Sequence, residues 1–507
     1  MLTGSGTPIA DLYVPVRIAG DLALMKGIAK ELLEAEERNP GTVFDHDFIR
    51  EHTHGFEALV SDLRAESWNV ILEESAVSRA DIRRIADAIV QNERLIVCWA
   101  MGLTQQPQAV AAIQSIVNIL LLRGSIGKPG AGACPVRGHS NVQGDRTVGV
   151  WERMPEKFLQ RIGNEFGFEP PRRHGYDTVE TLKAMHAGKV KAFVGMGGNF
   201  LSAGPDTGYA AEAMRRCRLT VHVSIKLNRG HLVTGRQALI LPTIGRAEQD
   251  VQGSGPQFFT VENSMGIVHM SRGSLEPASP DLLSEPTIVA RLGSTVLGAR
   301  STVDWNWHVE DYDRIRDRIE RVVPGFDGYN RRVRQPGGFY LPNLARDKRE
   351  FTTTTGKANF TVHQINRVKL EPGQLLMMSM RSHDQFNTTV YGLDDRYRGI
   401  RGERRVVLMN AADIRARGLV PGQVVDVTSH WNGAERVARR FIIVEYPIPR
   451  TCAATYFPEA NSLVPIDSVA ERSNTPTSKF VIITVAPSTE PLWDYDRADG
   501  SQPVQPA

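Results

Sequence analysis

The densest group of side chains able to do chemistry is Cys134-Pro-Val-Arg137-Gly-His139-Ser-Asn141-Val-Gln143-Gly144, at the end of a glycine- and proline-rich stretch running from 127 to 144. A guanidinium holds a carboxylate through two parallel hydrogen bonds, so Arg137 is a candidate clamp for a small anion. An imidazole titrates near neutral pH, so His139 is a candidate proton carrier, although a lone histidine is more often structural. Asn141 and Gln143 add amides suited to an anion or a heterocycle. Linkers share the glycines and prolines but rarely this set of polar groups.

Two further glycine turns follow apolar runs. Met101-Gly102-Leu-Thr104-Gln105 lies after Leu95–Trp99, where a residue without Cβ lets the backbone approach a ligand. An ordinary strand-to-helix turn is the alternative. Gly195-Met-Gly197-Gly198-Asn199-Phe-Leu-Ser202 is neither Gly-x-Gly-x-x-Gly nor a Walker loop. With Ser224 and Asn228 after the next strand, and Glu248 after the one beyond, it predicts one extended nucleotide-like ligand. Near the C-terminus, Arg381, His383, Asn387 and Thr388, then Asn461 and Lys479, lie in polar segments. These are surface loops or a lid over that ligand. Arg396, Arg398, Arg401, Arg404 and Arg405 form either a solvated basic loop or one that meets a polyanionic cofactor.

The elements that must position these groups are legible in outline. Helical periodicity is expected over 20–38 and 45–63, with a Ser78 cap before Ile82 and a long helix from Pro107. Strands are expected at 95–99, 190–194, 219–224 and 238–242, with helices at 178–186 and 208–216. Alternating strands and helices predict an open parallel sheet, whose ligands lie beyond the strands' carboxyl ends. From 374 onward the segments are short and β-rich, at 375–379, 405–409, 424–429, 438–444 and 480–485, with turns at Pro421-Gly422 and Asn432-Gly433. The region from 336 to 355 reads as a linker, and 487 to 507 as a loose tail.

Bulk properties exclude several classes. With 60 basic and 57 acidic residues among 507, no concentrated positive charge argues for nucleic acid. The four cysteines, Cys98, Cys134, Cys217 and Cys452, form no Cys-x-x-Cys pair. A disulfide framework, a local zinc site and an iron–sulfur cluster are therefore not expected. No secretory or twin-arginine signal and no membrane-length apolar run is seen, so the expected compartment is the cytoplasm.

Taken together, these segments resemble the molybdopterin-dependent oxidoreductases of the bis-guanine-dinucleotide type, within them formate dehydrogenase H and its YdeP-like relatives. Met101-Gly102-Leu-Thr104-Gln105 is similar to the family's Gly-Met-Gly-Val-Thr-Gln. Pro135 to Gly144 is similar to its Pro-Val-Arg-Gly-Gln-Asn-Asn-Val-Gln-Gly. Gly197-Gly198-Asn199-Phe200 is similar to its Gly-x-Asn-Pro turn, with Phe in place of Pro. The resemblance implies an α/β fold with parallel-sheet dinucleotide-binding domains, followed by a β-barrel cap of double-psi type. It divides the chain into 1–140 (part of an α/β domain), 141–245 (dinucleotide-binding), 246–365 (α+β connection), 366–490 (barrel) and 491–507 (tail).

The resemblance also implies two molybdopterin guanine dinucleotides and molybdenum or tungsten, with a 4Fe–4S cluster only if an amino-terminal portion supplies it. Dinucleotide contacts fall on Met101, Gly102, Gln105, Gly197, Gly198, Asn199, Ser202, Ser224, Asn228, Arg381, His383, Asn387, Thr388, Asn461 and Lys479. Arg137 inherits the formate clamp. His139 stands where the family has glutamine. The family's metal-binding cysteine or selenocysteine lies in an amino-terminal portion of roughly 200 residues or more that has no match here, and Cys134 does not correspond to it. The implied activity is oxidation of formate or a similar small anion, with an electron-transfer partner. The alternative is a catalytically incomplete cofactor-binding fragment that requires another polypeptide.

Overall fold

The computed structural model describes residues 9–139, 141–388 and 390–490. The chain forms two compact units that do not follow consecutive segments. One is built from Met1–Ala133, Leu344–Gln385 and Val390–Ala507, the other from Cys134–Asn343 and Phe386–Thr389.

The first unit contains a helical cluster and a barrel. Helix Asp21–Arg38 starts on an acid and ends on a base, which suits its dipole. Leu24, Ile28 and Leu32 recur every four residues and pack with Ile71, Ile82, Leu121 and Leu122. Sealing one such leucine away from water contributes roughly 2 kcal/mol. The helix expected over 45–63 is interrupted. It forms as His46–His52 and Phe56–Ala65, separated by Thr53–His54, which pairs in parallel with Ala358–Asn359. The Thr53 hydroxyl donates to the Ile49 carbonyl, and Gly55 at φ +88° turns the chain between the two helices.

The β-rich region closes into a six-stranded barrel. Around it the order is Leu375–Met380, Cys452–Tyr456, Val406–Met409, Ala434–Glu445, Val424–Trp431 and Val481–Pro487, returning to the first. Two of the pairings are parallel, Leu376 opposite Cys452 and Val406 opposite Ile442. Closure removes exposed strand edges. Leu375, Met377, Val407, Val425, Ile443 and Ile483 fill the interior. Strand Cys452–Tyr456 is not expected from the sequence. Cys-Ala-Ala-Thr-Tyr is wholly buried, so it shows no alternation, and it is poor in β-branched residues.

The second unit holds a three-stranded parallel sheet, Ala192–Met196, Leu219–Ser224 and Gln237–Pro242, with Val194 opposite Val221 and Val221 opposite Leu239. Helix Thr178–His186 begins on a full capping box, Asp177 with Glu180. The apolar run of the first strand predicts burial, and the strand is not buried. Val194 is 48% and Leu239 51% exposed, whereas Val221 between them is 9% exposed. Both outer strands have an unpaired edge among the described residues, whereas parallel strands are ordinarily covered on both faces. A second, antiparallel sheet joins Phe339–Tyr340, Ile267–Ser271 and Phe259–Glu262, backed by Val268, Phe326 and Tyr329. It runs through part of the segment read as a linker, where helix Leu344–Lys348 also forms.

The fold class expected from the sequence, parallel α/β sheets with a β-barrel, is what forms. Among the described residues no helix is long and apolar enough to cross a membrane. From 491 on, the expected loose tail lies outside the described residues.

Candidate functional site

In the second unit, the ends of three parallel strands lie side by side, but the strand expected at 95–99 is not in this sheet and pairs instead with Gly132–Pro135. Gly197 and Gly198 both sit at φ +66°, a conformation that costs other residues roughly 1–2 kcal/mol. The Gly197 N–H donates to the Val223 carbonyl at 2.8 Å, tying the turn to the neighbouring strand. A Cβ on Gly198 would meet nothing within 4 Å, so this side of the turn is open. The Asn199 side chain caps the next helical turn by accepting from the Ser202 N–H at 3.3 Å. The Asn228 amide reaches across to the Gly198 carbonyl at 3.3 Å while accepting from the Gly230 N–H. Ser224 Oγ pairs with His231 Nε2 at 3.2 Å. Gly198, Asn228 and Ser224 are thus linked through His231, with the Asn199–Ser202 cap and the Gly197 turn beside them.

Glu248 has a different role from the one expected. Its carboxylate accepts from the N–H groups of Gly245 and Ala278, so it holds a turn. Glu285 carries no sequence signal. Its carboxyl lies 3.7 Å from where a Gly197 Cβ would be. Burial pushes it above the ordinary carboxylate range, opposed by Arg246 and reinforced by Asp145. It begins a helix far along the chain, so no local pattern could have placed it there.

Arg137 and His139 are also in this unit. The Arg137 side chain is exposed, makes no ion pair among the described residues, and donates from Nη2 to Gln143 Oε1 at 3.4 Å. Its N–H donates to Ser264 Oγ at 3.3 Å. His139 Nε2 pairs with Asn387 Nδ2 at 3.1 Å, and its ring meets the Phe386 ring edge-on at 5.8 Å. The polar segment near 387 is thus brought onto the histidine. The neighbouring Thr388 hydroxyl is buried with no hydrogen-bond partner among the described residues. A buried hydroxyl left unmatched is costly, and a polar ligand would satisfy it.

In the first unit, the turn Met101–Thr104 forms a single helical turn with Met101 exposed. The Lys479 N–H donates to the Gln105 carbonyl at 3.0 Å, so the turn and the barrel loop meet through the backbone. Gln106, not singled out from the sequence, holds the turn by donating to the Gly102 carbonyl at 2.7 Å and to Asp21 at 2.8 Å. A Cβ on Gly102 would meet nothing within 4 Å. The Lys479 ammonium donates to the Ser379 carbonyl. Burial, with Arg381 nearby, pushes it down to about 8. An anion placed there would hold the ammonium and raise it again.

His383 pairs with Asp395 at 3.1 Å, as does Arg398 at 2.5 Å and the Tyr456 hydroxyl at 2.8 Å. Burial raises the Asp395 carboxyl, but these three hydrogen bonds outweigh it and hold it below the ordinary range. Arg404 is buried against Glu459 at 2.8 Å, and Asn461 is buried in the turn that follows. The arginine cluster therefore divides. Arg398 and Arg404 are structural, whereas Arg396 and Arg401 stay exposed.

The residues present suit the phosphate-bearing dinucleotide that the sequence implies. One unit offers an open glycine turn with amides and an orphaned hydroxyl; the other offers Lys479 with Arg381. Among the described residues no group of three or more His, Cys, Asp or Glu is placed to hold a metal ion, and none of the four cysteines is in a disulfide.

Residues 375–482, the barrel, match the molydopterin dinucleotide-binding domain family. An uncharacterized oxidoreductase of Mycobacterium tuberculosis, Rv2900c, is 51% identical over 96% of this chain and 63% of its own length. Protein YdeP of Escherichia coli K12 is 42% identical over 96% of this chain and 65% of its own. The chain thus spans a little under two thirds of the length of these relatives. Among solved structures, acetylene hydratase from Pelobacter acetylenicus superposes with a TM-score of 0.62 at 14% identity, covering 95% of this chain and 72% of that one, a likeness of fold alone.

Proposed function

We propose that the chain is a molybdopterin-dependent oxidoreductase that serves the oxidation of formate or a similar small anion in the cytoplasm, at a metal centre held by two molybdopterin guanine dinucleotides. The match of its barrel and the likeness to YdeP and the mycobacterial oxidoreductase support this family. The observation that carries this reading is the Arg137 guanidinium. It is exposed, free of any carboxylate among the described residues, and steered by a neutral amide. A fork of fixed geometry with unspent charge is what a small carboxylate needs.

When bound, the molybdenum or tungsten cofactor supplies the two-electron acceptor. The chain's own part is binding and proton handling. Arg137 holds the anion. The oxidation of formate to carbon dioxide releases two electrons and one proton. His139 Nε2 takes the proton once Asn387 turns its amide oxygen toward the ring, because in the present pairing Nδ2 faces Nε2. Gly197, Gly198, Asn199, Ser202, Ser224, Asn228, Asn387 and Thr388 would hold one dinucleotide portion. Met101, Gly102, Gln105, Arg381, His383, Asn461 and Lys479 would hold the other. The electrons pass to a separate electron-transfer partner; neither nucleic acid nor membrane is involved.

The test is Arg137→Lys in a complete, cofactor-loaded enzyme. Losing the bidentate fork is expected to raise KM for formate about 10-fold or more with kcat far less affected. An unchanged KM would sink the clamp. A second reading, an incomplete cofactor-binding fragment that needs another polypeptide, is favoured by the exposed apolar strands at Val194 and Leu239. Molybdenum and pterin content of the purified 507-residue chain separates the two, since a fragment is expected to retain little of either.

A further inference from the structure

The arginine loop is held from one buried carboxylate that no sequence pattern marks. Glu262 ends strand Phe259–Glu262 and is 5% exposed. Its Oε1 accepts from Gln143 Nε2 at 2.7 Å and its Oε2 from the Thr147 hydroxyl at 2.6 Å. Its own N–H donates to Asn141 Oδ1 at 3.1 Å. The approach is so close that a Cβ on Gly144 would collide with Asn141 Oδ1 and lie 3.2 Å from Glu262 Cβ. Of the two amides expected to recognise a ligand, Gln143 instead donates to this carboxylate, and Asn141 accepts from the Glu262 N–H while donating to Asp145.

The consequence lies in the Gln143 amide. An amide can present its nitrogen or its oxygen in either direction, and only its partners decide which. A carboxylate accepts and never donates, so Glu262 fixes the nitrogen toward itself. The oxygen is then left for Arg137 Nη2, at 3.4 Å. Orientation passes along this relay, whereas the negative charge stays one residue away from the guanidinium. A carboxylate in direct contact would also orient Arg137 but would neutralise it.

We propose that Glu262 is a positioning residue that, through Gln143, aims Arg137 at an anionic substrate while leaving its charge unspent. This rests on the reading of Arg137 as an anion clamp. The test uses the full chain and formate as probe. Arg137 is modified with phenylglyoxal, and modification is followed by peptide mass spectrometry with increasing formate. Four proteins are compared: unsubstituted, Glu262→Gln, Gln143→Glu and Thr147→Val.

Glu262→Gln lets the Gln143 amide turn over. It is expected to weaken formate protection about 5-fold and speed Arg137 modification about 3-fold, the loss of one hydrogen bond. Gln143→Glu sets a carboxyl 2.7 Å from Glu262, so that the pair shares one proton, and the remaining negative charge reaches the guanidinium; protection is expected to be lost. Thr147→Val removes the hydroxyl's contacts with Glu262 and with the Gln143 carbonyl but leaves the Gln143 side-chain amide in place, and should stay within about 2-fold of the unsubstituted protein on both measures. If Thr147→Val matches Glu262→Gln, the carboxylate only supports the loop, and the proposal is overturned. It is equally overturned if Glu262→Gln changes neither measure. Failure of formate to protect the unsubstituted protein would instead remove the clamp reading. The modification rates alone would then decide whether Glu262 aims Arg137.

Discussion

Lys479 carries the clearest pH signature at the level of single residues. Burial, with Arg381 adding to it, pushes its ammonium from the usual 10.5 down to about 8. Because the folded form binds its proton less readily than the unfolded form, the lysine's cost to stability is largest below pH 8 and fades as pH rises toward 10.5. Lys479→Met is therefore expected to raise the urea midpoint at about pH 7 and to flatten its dependence between about pH 8 and 10. An unchanged slope would contradict this placement. Gly198 makes a different prediction. At φ +66° with open space around it, Gly198→Ala costs about 1 kcal/mol through backbone strain. Larger side chains add little to that in the apo chain but would obstruct a ligand approaching the turn. Calorimetry of Gly198→Ala and Gly198→Leu, compared with their dinucleotide binding, separates strain from obstruction.

Elements formed where each one's signal was local. Helix Thr178–His186 and strand Leu219–Ser224 lie where the periodicity puts them, because a capping box and an apolar run both act within a few residues. Strand Cys452–Tyr456 was invisible because its stability comes from two barrel neighbours rather than from its own composition. The glycine turn and the arginine loop were legible as motifs. Glu262, Glu285 and Gln106 were not, since each acts through a partner far away in sequence or across a turn. Barrel closure can be tested at Ile443, fully enclosed among Met377, Val407 and Ile483. Ile443→Ala is expected to cost about 3 kcal/mol, read as a lowered denaturation midpoint. In the helical cluster, burial raises the Glu36 carboxyl, but hydrogen bonds from His46 and from the Gly41, Phe44 and Val43 N–H groups outweigh it and hold it at about 2. Its contribution is complete above pH 4.5 and lost as pH falls toward 2. Glu36→Gln should lower stability at about pH 6 and remove that part of the acid dependence.

For the molecule as a whole, the sheet at Val194 and Leu239 leaves apolar side chains and strand edges in water. Purified chain is expected to self-associate and to bind a hydrophobic dye, and Leu239→Ser with Ile240→Ser to reduce both. Light scattering that shows a dye-negative monomer before substitution would refute this. The discontinuity of the first unit has a consequence in time. Its helical cluster ends at Ala133, yet Ala358 and Phe360, which complete that core, lie beyond the whole of Cys134–Asn343. At a synthesis rate of roughly 5–20 residues per second, the intervening 210 residues occupy the ribosome for on the order of 10 to 40 s. During that interval the helices around Leu32 and Leu121 must wait with part of their core unfilled, while most of the other unit has already left the exit tunnel and can fold first. Nascent chains stalled near residue 343 should therefore bind chaperones through the amino-terminal helices, and release them once translation passes Phe360.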